Sequence, residues 1–173
     1  MSRNIEIKAK IRDLDSLVTL VEKIADSGPV VIEQDDTFFH CPDGRLKLRV
    51  LSDNCGELIY YHRPDIGGPK TSTYIISETS EPGNLRKIMA SVLGVTGRVR
   101  KKRLLYMCGA TRIHLDEVEE LGDFVELEVV LSDTDTLDDG QRIAEELMVR
   151  LDIKKDDLLE GAYVDMIPTL RQG

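Results

Sequence analysis

No apolar run in the 173 residues approaches the roughly 18 that a membrane-spanning helix needs, so a membrane is not expected among the partners. The strand pattern starts within the first few residues, which leaves no room for a secretory signal. Cysteine is scarce: Cys41, Cys55 and Cys108 are odd in number and fit neither a disulfide framework nor a paired zinc-binding CxxC. A cytoplasmic protein with reduced thiols is the expectation. There is no low-complexity tract, no solenoid repeat and no clear linker. A chain of this length buries a proper core, and one domain covering residues 1–173 is expected. Positive charge is not in excess either, because 23 basic residues face 32 acidic ones for a net −9. Long nucleic acids, whose binding rests on neutralising many phosphates, are therefore a poor match. The stretch GGPKTST at 67–73 has the residue types of a phosphate loop but not its GxxxxGK spacing.

What is present is alternation. In residues 4–11, Asn4, Glu6, Lys8 and Lys10 share one face, and Ile5, Ile7, Ala9 and Ile11 share the other. A period of two with one aliphatic side is the pattern of a half-buried strand. Val30 to His40 reads as extended, followed by a turn at 41–44. Next, Arg45, Lys47 and Arg49 alternate with Leu46, Leu48 and Val50, and Glu57 to Arg63 carries Tyr61 and Arg63 together. After a proline- and glycine-rich loop at 64–69, Thr71 to Glu78 is extended again, with Ser72 and Tyr74 on one face. Val99, Lys101 and Arg103 share a parity within Gly97 to Met107. Two runs joined across Glu117 to Asp123, with Gly122 in the link, predict a hairpin. Its first arm sets Arg112, His114 and Asp116 on one face; its second sets Phe124, Glu126 and Glu128 against Val125, Leu127 and Val129.

Helical spacing appears at 13–25, where Asp13 is a candidate cap, and Gly28 with Pro29 closes the segment. It recurs at 82–93, with Leu85, Ile88, Met89, Val92 and Leu93 inward, and at 137–151, with Leu137, Ile143, Ala144, Leu147 and Leu151 inward. The tail from Lys154 reads as a short helix and then an extended stretch at 162–167. About eight strands in hairpin order, broken by three helices, give an α+β protein on an antiparallel sheet.

The charged faces carry Lys8, Lys10, Arg45, Lys47, Arg49, Arg63, Lys101, Arg103 and Arg112, with Lys70 joining from the loop. Their acids are Glu6, Asp116, Glu126 and Glu128. An open sheet keeps such faces in water; a closed barrel makes them the lining of a wet tunnel. Repetition of the pattern on five strands favours the tunnel. Arginine forks and lysine ammonium groups suit phosphate oxygens, and grouped carboxylates suit Mg2+ or Mn2+. The ligand so inferred is a chain of phosphates with a divalent metal. His114 lacks a second His or Cys for a zinc set and reads as a polar tunnel residue.

These residues also form an ordered set of motifs. Near the N-terminus, Asn4, Glu6 and Lys8 stand at the three defined positions of ExExK. DTFF follows at 36–39, GRLKLR at 44–49, YYHRPD at 60–65, GPKTSTY at 68–74, VRKKR at 99–103, RIHLDEVEELG at 112–122 and FVELE at 124–128. In order and spacing the chain, from Asn4 to about Ile167, resembles the CYTH superfamily of triphosphate tunnel metalloenzymes. That superfamily includes class IV adenylate cyclases, thiamine triphosphatases and inorganic tripolyphosphatases. The resemblance implies an eight-stranded antiparallel barrel with flanking helices. It implies metal binding by Glu6, Asp116, Glu126 and Glu128, and triphosphate binding by Lys8, Arg45, Lys47, Arg49, Arg63, Lys101, Arg103 and Arg112. With Lys10 added from its strand position and Lys70 from the loop, the expected substrate set is complete; Glu6, Lys8, Glu126 and Glu128 are the expected catalytic group. Asn4 departs from the pattern, offering a carbonyl oxygen but no charge. The expected activity is metal-dependent hydrolysis of a small triphosphate. Cyclisation of ATP to cyclic AMP, and binding without turnover, are the alternatives, in a monomer or homodimer.

Overall fold

The computed structural model describes residues 2–167. Eight antiparallel strands close on themselves: β1 (Ser2–Lys10), β2 (Ser27–Phe39), β3 (Arg45–Ser52), β4 (Cys55–His62), β5 (Lys70–Thr79), β6 (Val95–Cys108), β7 (Thr111–Val118) and β8 (Gly122–Leu131). Around the barrel they run β1-β5-β4-β3-β2-β6-β7-β8, and β8 pairs back onto β1. Closure leaves no unpaired edge. It also turns the sequence's charged faces inward, since alternate side chains of every strand point to the axis.

The outward aliphatic faces need cover, and helices supply it on one side. Helix α1 (Leu14–Ile24) starts where Asp13 accepts a hydrogen bond from the Ser16 amide at 3.1 Å. Helix α3 (Leu137–Arg150) starts with a capping box between Thr136 and Asp139. Leu17 and Val21 of α1, and Ala144, Leu147 and Met148 of α3, pack with Ile5, Ile7, Ile113, Leu115, Val125, Leu127 and Val129 from the outer faces of β1, β7 and β8. Gly140 lets α3 approach closely, because a Cβ there would sit 2.7 Å from Ile5 and from Leu131.

Helix α2 (Pro82–Leu93) behaves differently from its expected inward stripe. Pro82 is buried against Gly56, but Ile88 and Val92 are 57% and 72% exposed. The helix leans on β2, β3 and β4, and no second layer covers its far side among the described residues. Strand β2 begins at Ser27 rather than Val30, because a bulge between Ser27 and Val30 absorbs Gly28 and Pro29. Gly28, at φ 112°, has the Leu105 carbonyl 2.6 Å from where a Cβ would lie, so only glycine fits.

A further correction lies at the tail. Residues 162–167 are not extended: a 3-10 turn at Lys155–Asp157 leads to a one-turn helix, α4 (Tyr163–Met166). Asp165 caps it by accepting from the Ala162 amide at 2.8 Å, and Arg45 holds the same carboxylate through both terminal nitrogens at 3.0 and 2.7 Å. Tyr163 then closes one end of the barrel, packed with Phe38, Ile59, Tyr61, Val99, Val118 and Phe124. The barrel is a cup rather than an open tube at that end. The expected single domain includes Met1 and residues 168–173, which lie outside the described residues. Among the described residues no helix is long and apolar enough to cross a membrane.

Candidate active site

The cup encloses a cavity of about 310 Å³. Among the described residues seven cations line it, Lys8, Lys47, Arg49, Arg63, Lys101, Arg103 and Arg112, together with five carboxylates, Glu6, Asp36, Glu57, Glu126 and Glu128. Strand register explains the grouping. β1 and β8 set Glu6 directly opposite Glu128 and Lys8 opposite Glu126; β7 and β8 set His114 opposite Glu126 and Arg112 opposite Glu128. One wall of the cup thus holds three glutamates and a histidine.

Donor atoms of His114, Glu126 and Glu128 all lie within 4.8 Å of one another. The His114 Nδ1 is 3.4 Å from Glu126 and 3.9 Å from Glu128. Burial pushes the Glu128 carboxyl up, and its neighbours Glu126 and Glu6 add to the rise against the pull of His114. Burial opposes ionisation of Glu126 too, but Lys8, His114 and Arg103 outweigh it and hold that carboxyl well below the ordinary range. Two adjacent glutamates with opposed shifts form a site that a cation would relieve. The Asn4 carbonyl oxygen, buried and without a hydrogen-bond partner, lines the same cavity one pleat from Glu6. Carboxylate oxygens, an imidazole nitrogen and a spare amide oxygen are a donor set that fits a divalent ion.

The opposite wall is organised around Asp36, which sequence reasoning did not select. Its carboxylate accepts from Lys47 Nζ at 2.9 Å and from Arg49 Nε and Nη2 at 2.9 Å, with Lys101 Nζ 3.8 Å away. Burial works against its charge, but Arg49, Lys47 and Lys101 keep it well below the usual carboxylate range. Burial and Arg49 lower Lys47 to about 8 despite Asp36. Burial and Arg103 lower Lys101 well below an ordinary lysine. Asp35 and Asp36 are adjacent in sequence, so alternation alone did not say which faces inward; the DTFF match was the only signal.

The remaining predicted residues divide by position. Arg63 donates to Glu6 at 2.7 Å and to the Gly161 carbonyl at 2.7 Å, tying cavity and tail together. Lys8 sits 3.3 Å from Glu126 with its ammonium 3.9 Å over the Tyr163 ring. Arg112 bonds Glu128 at 3.2 Å. Asp116 is deeply buried but does not line the cavity: Arg103 grips both its oxygens at 2.7 Å, and the Tyr163 hydroxyl donates to it at 2.9 Å. Arg45 is spent on Asp165 and Asp65 at the closed end. Lys70 is buried beside the carbonyls of Ile66 and Leu159, at 2.8 and 3.5 Å. Lys10 lies exposed at the end of β1, opposite Phe124, and is not among the residues lining the cup. The structure brings the seven lining cations together and leaves Arg45, Lys70 and Lys10 outside the lining.

Tyr163 was missed because its segment was read as extended. At the open end, Ile32, Leu51, Ile76 and Leu105 line the cavity, giving an apolar rim above the charged floor.

Comparison with known proteins agrees with this geometry. The CYTH domain pattern matches residues 2–163. A Methanocaldococcus jannaschii protein provisionally named an adenylate cyclase is 26% identical over 169 residues, spanning 94% of this chain and 97% of its own. A Pyrococcus horikoshii OT3 structure superposes with a TM-score of 0.83 at 23% identity, over 95% of this chain and 99% of that one. A Hippeastrum protein, provisionally an adenylyl cyclase and described as having a dominant triphosphatase activity, gives 0.60 at 16% identity, over 87% and 88%.

Proposed function

Because the chain belongs to the CYTH domain family of triphosphate tunnel metalloenzymes, we propose that it hydrolyses a small triphosphate with the help of Mg2+ or Mn2+. The observation that carries this reading is the cavity's division into two walls. Glu6, Glu126, Glu128 and His114 gather on one, and Lys47, Arg49 and Lys101 on the other. Neutral or singly charged substrates have no use for seven inward cations. A chain of phosphates supplies the missing counter-charge.

In this reading Glu6, Glu126 and Glu128 hold the ion, with His114 as a nitrogen ligand beside them. An ion held there would supply Lewis-acid chemistry, polarising phosphoryl oxygens and lowering the pKa of a bound water. Lys8 and Arg103 flank the carboxylates and neutralise charge that builds on the transferring phosphoryl group. Arg63 and Arg112, each paired with a glutamate of that set, would be available to phosphate oxygens where those glutamates hold an ion. Lys47, Arg49 and Lys101 hold the far end of the phosphate chain. Asp116 keeps the Arg103 fork at a fixed angle without touching substrate. Arg45 and Lys70 fasten the tail that closes the cup, and Lys10 takes no part. Residues 1–173 act as a single domain.

A second reading, cyclisation of ATP with release of pyrophosphate, is favoured by the apolar rim of Ile32, Leu51, Ile76 and Leu105, which has room for an organic group. The two differ in which phosphorus the nucleophile reaches. Incubation with tripolyphosphate, thiamine triphosphate or ATP, each with Mg2+ and with Mn2+, separates them. Orthophosphate without cyclic AMP supports hydrolysis, and cyclic AMP with matching pyrophosphate supports cyclisation. Tight binding with no product, in a chain whose Asn4 replaces a family glutamate, would mean a binding module instead.

A further inference from the structure

Asp36 stands apart from every other carboxylate in the cup. Glu6, Glu126 and Glu128 face one another across the β1, β8 and β7 register and form a place for a cation. Among the described residues Asp36 has no acidic partner of that kind. Both its oxygens are occupied by Lys47 and Arg49, Lys101 stands 3.8 Å off, and the residue is 1% exposed. Glu57 lies opposite Arg49 on β4 but makes no hydrogen bond to it.

This arrangement differs from the one on the metal wall in what an incoming ligand does to it. There, Lys8, Arg63 and Arg112 pair with the glutamates that would hold an ion, so a bound ion would leave those cations to phosphate. On the far wall nothing takes up Asp36, so a phosphate group must compete with a carboxylate already holding the same nitrogens. We propose that Asp36 is an internal counter-anion that weakens the cup's hold on phosphate and thereby lets product leave. It is a positioning residue, acting through Lys47, Arg49 and Lys101 rather than on the reacting atoms. The inference rests on the triphosphate reading above. Its chemical sense is that cations confined at this density, with no built-in anion, would retain pyrophosphate or tripolyphosphate too tightly to turn over.

The test is a calorimetric titration of inorganic tripolyphosphate in EDTA, comparing wild type with Asp36→Asn, followed by steady-state kinetics with Mn2+. Asparagine preserves the shape and one acceptor while removing the charge. We expect tripolyphosphate to bind Asp36→Asn at least about tenfold more tightly, and KM and kcat to fall together as product release slows. A purely structural aspartate would leave affinity unchanged or weaken it, and that result in a folded variant overturns the proposal. If the variant does not fold alone, refolding in millimolar tripolyphosphate decides: recovery of the native circular dichroism supports the counter-anion role, and no recovery overturns it. Wild type that fails to bind tripolyphosphate would instead refute the triphosphate reading, so the two failures are distinguishable.

Discussion

Asp116 offers the sharpest way to separate a structural ion pair from a metal ligand. The sequence pattern groups it with Glu6, Glu126 and Glu128, whereas the structure gives both its oxygens to Arg103 at 2.7 Å, with side chains 0% and 5% exposed. Asp116→Asn removes the charge and turns an amide N–H toward the guanidinium. Breaking one side of a buried pair costs about 3–5 kcal/mol. Arg103 retains Glu126 at 3.4 Å as a partial partner, so the lower end, about 3 kcal/mol, is expected. For a domain of this size that corresponds to a fall in Tm of roughly 6–12 °C. Burial opposes the Asp116 charge, but Arg103 holds its carboxyl below the ordinary value. The contribution is therefore fully present above the unfolded carboxylate pKa and is lost as pH falls through the depressed folded one. Thermal unfolding at neutral pH and calorimetric titration with Mn2+ are the paired assays. The expected outcome is a large loss of Tm with Mn2+ affinity within about threefold of wild type, since no metal ligand is lost. An unchanged Tm with Mn2+ affinity weakened more than about tenfold would refute the reasoning.

The reciprocal change, Glu128→Gln, is expected to weaken Mn2+ by at least about 100-fold while leaving Tm unchanged or raised, because it removes a crowded carboxylate; loss of far-UV circular dichroism would show that Glu128 is structural. His114→Gln should weaken Mn2+ about tenfold and Mg2+ hardly at all, since imidazole favours the softer ion; equal losses measured by calorimetry would exclude the nitrogen as a ligand. Lys47, lowered to about 8, loses its charge as pH rises through that value, so tripolyphosphate affinity should decline on the alkaline side. Lys47→Arg, permanently charged, should move that decline to higher pH, and superimposable profiles for the two proteins would remove Lys47 from the phosphate wall.

The barrel was legible because period-two alternation is a local property, and most of the strands carried it. Lys8, Glu126 and Glu128 could be assigned from parity alone, since their strands alternate without interruption. Where parity was blurred, the site was not readable. The adjacent acids Asp35 and Asp36 gave no sign that Asp36 points inward while Asp35 faces out to Arg86 and Arg98. Register was the second gap. Sequence places Asp116 on the same face as His114, but only cross-strand pairing shows His114, not Asp116, opposite Glu126. Lys10 shares the parity of Lys8 and still lies outside, because parity does not mark where, at the closed end opposite Phe124, the strand has run beyond the lined cavity. Tyr163 depends on contacts across the whole chain: its segment folds as a helical turn against Arg45, Asp116 and Lys8, partners that no local pattern connects to it.

The central claim is that one cup holds a divalent ion and a triphosphate together, each on its own wall. It is tested most directly by titrating tripolyphosphate into the protein with and without saturating Mn2+, and Mn2+ with and without tripolyphosphate, under conditions quenched against turnover. The account predicts that each ligand tightens the other by the same factor, as linkage requires of two ligands sharing a site, and that Glu128→Gln abolishes the coupling. Binding of either ligand with no effect on the other, or no binding of tripolyphosphate at all, would contradict it.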